Sequence, residues 1–135
     1  MYRSRRHRRG AAAVEAALTL PILFLIMLSG WEFSRVNVIR NTMTNAAYIA
    51  ARESMLPGAT AEAARTEGER VLLAIGVANA VIDVTPNNID ADTSEVTVDV
   101  IVPLASNSMG IVKFFASRNM TASCTLTREL QPGNF

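Results

Sequence analysis

The sequence has too few cysteines and histidines to build a familiar catalytic or metal site. Cys124 is the only cysteine and His7 the only histidine among the 135 residues. A single cysteine forms no intrachain disulfide and supplies one of the four ligands that a structural zinc ion needs. His7 lies in an arginine-rich N-terminus, away from any folded pocket. The two counts together exclude nucleophile–histidine pairs and histidine-rich metal centres.

Glycine, proline and aromatic residues are also limited, and no glycine-rich phosphate loop or catalytic triad is present. Half of the residues are hydrophobic, which excludes disorder, and the length leaves room for one domain. The sequence therefore predicts a protein that is not an enzyme and that has no cofactor, no metal ion and no small-molecule substrate.

Charge is unevenly distributed along the chain. Five arginines lie in the first ten residues without an acid among them, and the remaining eight basic and twelve acidic residues leave the rest at −4. The arginines lack the interleaved aromatic residues typical of a nucleic-acid site, so no nucleic-acid partner is expected. Residues 1–10 are predicted to form a basic cytoplasmic leader that sets topology and attracts anionic lipid, at about 1 kcal/mol per residue.

An apolar stretch follows directly and has the length of a membrane span. Residues 11–31 contain one charged residue, Glu15. As a helix they extend over roughly 31 Å, about the thickness of the hydrocarbon core. Trp31 ends the stretch where an interfacial aromatic is favourable, and Glu32 and Arg35 follow in the polar zone at the membrane surface. The sequence predicts a single-pass protein of the inner (cytoplasmic) membrane, with a cytoplasmic N-terminus and a periplasmic C-terminal part.

Three interpretations of this stretch compete. It can be a cleaved secretory signal, although its apolar run is longer than usual and no clean A-x-A site follows. It can be a plain signal-anchor. The third explains Glu15, a costly charge inside a membrane helix. Cleavage between Gly10 and Ala11 creates an α-ammonium on Ala11 that can pair with Glu15 of the same or a neighbouring subunit.

The N-terminal forty residues resemble the TadE-like family, the minor pilins or pseudopilins of tight-adherence (Flp-type) pilus systems in bacteria. The resemblance rests on the segment RRGAAAVE, an apolar stretch interrupted by Pro21, and the segment WEFSR. In that family and its type IV pilin relatives a prepilin peptidase cuts after the glycine and leaves glutamate at mature position five. Gly10 and Glu15 match that pattern. The resemblance implies other pilin-like subunits, the pilus assembly machinery, membrane lipid and the peptidase as partners.

The remaining sequence predicts an α+β fold, in which a long N-terminal transmembrane and amphipathic helix precedes a second helix and a small antiparallel sheet. The extracytoplasmic head is expected over residues 32–135, and its first part, 32–56, continues the membrane helix. Val36, Ile39, Met43, Ala47 and Ala50 form an apolar stripe at helical spacing. Leu56-Pro57-Gly58 is expected to end the helix near Met55, from a start near Ala12.

The second helix is expected to begin after the N-cap Thr60, with an apolar side formed by Ala64, Val71, Ile75 and Ala78, although Gly68 and Gly76 argue against a regular helix. Strands are predicted over residues 81–85, 95–102 and 120–127, because hydrophobic residues alternate there with polar ones. Residues 110–117, with Phe114 and Phe115, are expected to form a short helix or loop.

Two further features of the sequence are candidate sites. Asp90, Asp92 and Glu95 have the spacing of a calcium loop but lack its glycine and terminal glutamate, which favours an ordinary acidic loop. Cys124 is predicted to be a small core residue, with an intermolecular disulfide to another minor subunit as the alternative.

The leading hypothesis is a membrane-anchored minor pilin or pseudopilin that takes part in pilus or secretion-system assembly. The alternative is an uncleaved, membrane-tethered extracytoplasmic binding module unrelated to a filament. The two differ in whether Glu15 matters beyond membrane insertion.

Overall fold

The computed structural model describes residues 4–90, 92–107 and 118–127. Its elements are helix α1 (Ser4–Glu53), helix α2 (Ala61–Leu73), strands β1 (Val81–Thr85) and β2 (Glu95–Pro103), a 3-10 turn (Leu104–Ser106) and strand β3 (Asn119–Thr127). One long apolar helix, a second helix and a three-stranded antiparallel sheet confirm the predicted α+β fold.

Helix α1 is a single helix of 50 residues, about 75 Å long. It begins at Ser4 rather than near Ala12, so the predicted leader continues into the helix without a break. Pro21 lies inside the helix. Because proline has no N–H, the carbonyl of Ala17 loses its usual helical partner at that point. The helix ends at Glu53, and Gly58 takes a positive φ of 78° in the turn that follows.

The C-terminal part of α1 packs its predicted apolar stripe against the head. Ile39, Met43, Ala47 and Ala50 are fully or almost fully buried, and Val36 is partly buried against them. This part of the amphipathic pattern is confirmed. Small residues dominate the second half of the stripe, which allows another element to approach closely.

That element is α2, whose packing face differs from the predicted one. Thr60 is the N-cap as predicted, and its hydroxyl accepts a hydrogen bond from the Ala63 N–H at 3.2 Å. The residues of α2 that are buried recur at helical spacing: Ala61, Ala64, Gly68 and Leu72. Of the residues predicted for this side, Ala64 is buried and Val71 and Ile75 are partly buried, but Ala78 lies beyond the helix and is exposed.

Both glycines that argued against a regular second helix have a structural role. Gly68 lies where α2 approaches α1, and a Cβ there would stand 3.3 Å from the Ala50 Cβ and 2.7 Å from Ile82 Cδ1. Gly76 has a φ of 70° and follows the end of the helix. Its N–H donates to Leu73 O and the next N–H, of Val77, donates to Leu72 O. This is a Schellman-type helix end, which requires a residue with positive φ.

The sheet has the order β1-β2-β3, with both neighbouring pairs antiparallel. The strand bounds agree with the predicted ones to within one residue at each end. On β2, Val96, Val98, Val100 and Val102 are fully buried. On β3, the predicted inward residues are partly buried and their neighbours are exposed: Met120, Ala122, Cys124 and Leu126.

The head therefore has two layers, with α1 and α2 against one face of the sheet and a core between them. An amide side chain joins the segment after α2 to the end of β2. Asn107, 6% exposed, accepts from the Ala78 N–H at 2.7 Å and donates to the carbonyls of Ala78 and Pro103 at 2.8 Å. These bonds place the Pro103 end of β2 beside the segment that follows α2.

Candidate functional site: the exposed apolar segment of helix α1

The N-terminal half of α1 extends away from the head with its apolar side chains uncovered. Residues 10–27 are all exposed, although most of them are hydrophobic. The large side chains among them are each at least half exposed: Val14, Leu18, Leu20, Ile22, Leu23, Phe24, Leu25, Ile26 and Met27. A water-soluble surface does not carry a contiguous apolar patch of this length. This segment therefore requires lipid or other apolar helices around it.

Among the described residues, α1 is the one helix that is long and apolar enough to cross a membrane, over Gly10–Glu53. A single N-terminal helix of this kind is compatible with a single-pass membrane protein. From Gly10 onward, the first buried residue of this helix is Glu32, so the part from Gly10 to Trp31 is the part available to a bilayer.

Gly10, Ala11 and Glu15 lie on this exposed segment, all three in helical conformation. Ala11 precedes Glu15 by four residues, so the two lie on one face of the helix about 6 Å apart. An amine created at Ala11 would stand one helical turn from the Glu15 carboxylate. This spacing thus permits the pairing within one chain.

The two hydroxyl side chains of the segment bond to the helix itself. Thr19 Oγ1 donates to Glu15 O at 2.9 Å and Ser29 Oγ donates to Leu25 O at 2.8 Å. Such bonds satisfy a hydroxyl inside a bilayer, where water is absent. Glu15 remains the one charged side chain between Ala11 and Trp31.

The junction between this segment and the head differs from the sequence-based expectation. Glu32 and Arg35 were expected in the polar zone at the membrane surface. Glu32 is instead buried, at 3% exposure, and Arg35 is partly buried. Arg35 Nη1 donates to Ile75 O at 3.0 Å. Because the last carbonyls of a helix lack helical partners, a cation placed just beyond the end of α2 is favourable there.

The WEFSR segment thus joins the membrane helix to the head. Trp31 and Phe33 are exposed, each at 61%, whereas Glu32 and Arg35 face the head. Met27, Trp31, Ser34, Arg35 and Val38 line a shallow groove along this part of α1. Aromatic side chains at this position are typical of the membrane–water interface.

Sequence reasoning missed the burial of Glu32 and the roles of Gly68 and Asn107. The spacing of Glu32 and Arg35, three residues apart, places both on one side of a helix and was the available signal for the first. No local signal indicated the other two, because each depends on contacts between distant segments.

The other predicted site residues lie apart from this segment. Asp90, Asp92 and Glu95 are exposed, and the described residues contain no group of three or more side chains able to hold a metal ion. Cys124 is a free thiol, partly buried on the inward side of β3. The segment predicted as a short helix or loop, with Phe114 and Phe115, lies outside the described residues.

The exposed segment and its continuation into the head are similar to a known protein family. Residues 10–52 match the family model described as TadE-like protein. This match confirms the resemblance over those residues. No curated protein and no solved structure matches the chain. The second helix and the sheet, beyond residue 52, lie outside the matched range.

Proposed function

We propose that this chain, TadE-like over residues 10–52, is a membrane-anchored minor pilin or pseudopilin that takes part in assembling a tight-adherence pilus or a related secretion apparatus. The observation that carries the proposal is the apolar, uncovered segment of α1, which coincides with the start of the family match. The helix lies in the inner membrane with its N-terminus in the cytoplasm, and the head lies in the periplasm.

The direction of insertion follows from the charges beside the span. Five arginines precede it and the rest of the chain is acidic overall. Positive charges next to a span are retained on the cytoplasmic side, and they also attract anionic headgroups. Lipid, other pilin-like subunits and the assembly machinery are the partners, and the chain has no catalytic role.

Processing is the first step of the proposed mechanism. A prepilin peptidase cuts between Gly10 and Ala11, which removes the arginines and leaves Glu15 as the fifth residue. Gly10 is exposed, and a Cβ at this position would meet nothing within 4 Å. The new amine neutralises Glu15, either in the same chain or in a neighbour. That pairing lowers the cost of a carboxylate in the bilayer and aligns subunits at one depth.

The test of processing is the mass and N-terminal sequence of the protein recovered from its native membranes. We expect a chain that begins at Ala11. A chain that keeps the arginines contradicts processing and leaves an uncleaved anchor or tether. A chain that begins beyond Gly30 contradicts membrane anchoring as well, since the apolar segment is then removed as a secretory signal.

The test of assembly is the substitution Glu15→Gln. It removes the charge while retaining size, so insertion is unchanged or improved, whereas recovery of pilus and co-purification of other pilin-like subunits should be lost. Glu69→Gln is the matched control, because Glu69 is an exposed carboxylate on the head. If neither substitution changes the recovery of pilus or the co-purification of other subunits, the membrane helix is only a tether for the head and the assembly mechanism is wrong.

A further inference from the structure

A groove on α1 crosses the junction between the exposed apolar segment and the head. The described residues that line it recur at helical spacing and form one stripe along the helix: Met27, Trp31, Ser34, Arg35 and Val38. Glu32 and Ile39 are buried, so the head packs against a different side of the same turns. The stripe itself is open, since all of its side chains except the partly buried Arg35 are exposed.

The groove lies at the height of the lipid headgroups. Trp31 ends the apolar stretch, and Ser34 and Arg35 lie about 4.5 and 6 Å beyond it along the helix axis. The headgroup layer on each side of a bilayer is about 5–8 Å thick. Both polar side chains therefore lie within that layer, while Met27 lies about 6 Å inside the hydrocarbon. The groove runs from hydrocarbon to headgroups, as a phospholipid does.

Arg35 brings a positive charge to this groove without a counter-ion from the described part of the chain. Its Nη1 donates to Ile75 O at 3.0 Å, which is a neutral acceptor. No acidic side chain of the described residues lies within ion-pair distance of the guanidinium. An arginine has five N–H donors. Because the bond to Ile75 already holds the side chain in place, its other donors can bind an anion with little further loss of conformational entropy.

Ser34 adds a second donor beside Arg35. Thr19 and Ser29, nearer the N-terminus of α1, donate to the carbonyls four residues before them, at 2.9 and 2.8 Å. The hydroxyl of Ser34 is exposed, and no described residue accepts from it. A guanidinium and a hydroxyl thus lie next to each other at headgroup height, and both are donors that suit phosphate oxygens.

We propose that this groove binds one anionic phospholipid of the leaflet that lies nearest the head. The phosphate accepts hydrogen bonds from the Arg35 guanidinium and the Ser34 hydroxyl. One acyl chain lies along Met27 and Trp31, whose exposed apolar side chains extend into the hydrocarbon. Val38 lies at the opposite end of the groove, beyond the phosphate.

A second copy of the chain fits the groove less well than a lipid does. A copy inserted in the same direction presents its own Arg35 at the same height, and α1 contains no acidic residue from Phe33 to Arg52. It would place one cation beside another, whereas a lipid phosphate supplies the opposite charge.

This lipid site rests on the membrane anchoring proposed above, but it needs neither cleavage after Gly10 nor Glu15. It is also separate from the attraction of lipid by the N-terminal arginines. Those arginines lie at the other end of the span, roughly 31 Å away, and therefore beside the opposite leaflet.

The test uses Trp31, the single tryptophan of the chain, as a fluorescent reporter inside the groove. Full-length protein is reconstituted in vesicles of phosphatidylcholine and phosphatidylglycerol in equal amounts. In each of two preparations one of the lipids carries brominated acyl chains, which quench a tryptophan that they contact. Comparing the two preparations gives the relative affinity of the two lipids at the groove. We expect phosphatidylglycerol to be preferred roughly fivefold, the effect of one arginine near an anionic lipid.

Removing the charge of Arg35 should remove this preference. Arg35→Gln leaves no cation in the groove, so the two brominated lipids should quench Trp31 equally. Arg40→Gln is the matched control, because it removes the same charge from an exposed position on the same helix. Arg40 lies about 140° around the helix from Arg35, so its loss should leave the preference in place.

A second pair of variants keeps Arg35 and its bond to Ile75. Val38→Glu places a carboxylate three residues from Arg35, where it can pair with the guanidinium and displace the phosphate, so the preference should be lost. Asn37→Glu adds the same charge two residues from Arg35, a spacing at which side chains do not face each other. Both positions are exposed, and Asn37→Glu should retain most of the preference.

Equal quenching by the two brominated lipids in the parent protein would overturn the lipid site and leave membrane anchoring intact. A preference that survives both Arg35→Gln and Val38→Glu would overturn it as well. Vesicles of brominated phosphatidylcholine alone test the anchoring, since an absence of quenching there contradicts insertion and the lipid site together. Quenching that increases as the protein is diluted in lipid would show that a second copy occupies the groove instead.

Discussion

At the scale of single residues, Arg35 and Gly68 fix how α1 meets the head. Arg35 binds the Ile75 carbonyl just beyond α2, and Gly68 lets the backbone of α2 approach Ala50. One contact is polar and lies near the exposed apolar segment, and the other is steric and lies further along the helix. Together they hold α2 against α1 at two points, so the head cannot pivot freely about the end of the span.

Gly68 provides a prediction at this scale. An alanine has the higher helix propensity by about 1 kcal/mol, but its Cβ would stand 2.7 Å from Ile82 Cδ1 and 3.3 Å from the Ala50 Cβ. Because Ile82 is buried and Ala50 cannot move away without a shift of α1, Gly68→Ala should lower the free energy of unfolding by about 1–2 kcal/mol. Thermal unfolding of the full chain in detergent measures the change.

Two further variants serve as controls for Gly68→Ala. Adding Ile82→Val removes Cδ1 and should recover part of the loss, so the double variant is more stable than the sum of the single effects predicts. Gly30→Ala, where a Cβ meets nothing within 4 Å, should not destabilise the head. A Gly68→Ala protein as stable as the parent would show that the contact with α1 is loose.

At the scale of elements, local sequence patterns predict where the helices and strands form. The N-cap Thr60 and the alternating valines of β2 form as predicted, because capping and strand periodicity depend on neighbouring residues. The packing face of α2 was predicted only in part. Which residues of α2 are buried depends on the side of α2 that packs against α1. Gly68 is buried there, but it has no hydrophobic side chain that could indicate this from the sequence.

The ion pair within α2 predicts a pH dependence. The hydrogen bond from Arg70, whose Nε lies 3.0 Å from Glu67 Oε2, holds the pKa of the Glu67 carboxyl below its ordinary value, with a further contribution from the arginine charge. The pKa is lower in the folded chain than in the unfolded one. The pair therefore stabilises α2 above the ordinary glutamate pKa, and this effect is lost as pH falls through the lowered value.

The effect should be small, because the pair is at the surface. Glu67→Gln should reduce the fall in melting temperature between about pH 6 and about pH 3. Glu69→Gln, at an exposed position on the same helix, is the control and should leave the slope less affected. A slope that is identical in the parent and the Glu67→Gln variant would rule out a stabilising pair.

At the scale of the whole molecule, the chain is amphiphilic. Its exposed apolar segment, residues 10–31, which we call the shaft, extends from a polar head. The shaft is uncovered from Gly10 to Met27, and the first buried residue is Glu32. The head buries its own core between two helices and three strands. The long helix joins the two parts without a loop, so a force or displacement applied to one is transmitted directly to the other.

The division between shaft and head predicts different responses to the same type of substitution. Leu23 and Leu73 are both exposed, at 59% and 68%, but Leu23 lies within the shaft and Leu73 on the head. Leu23→Arg places a charge near the middle of the span, at a cost of about 2.5–3.5 kcal/mol on insertion scales. It should reduce the fraction of the protein that stays in the membrane pellet after alkaline extraction, while Leu73→Arg should not. Equal retention of both variants would contradict membrane insertion of the shaft.

The sequence alone determined the elements, their order, the apolar span and the family resemblance of the N-terminal segment. These depend on composition, periodicity and residues close together in the chain. Only the tertiary structure decided that Glu32 is buried, that Gly68 contacts α1, and that Asp83 lies opposite Asp99 in the sheet. Each of these depends on which distant segments meet, and a contact between distant segments leaves no pattern in either segment by itself.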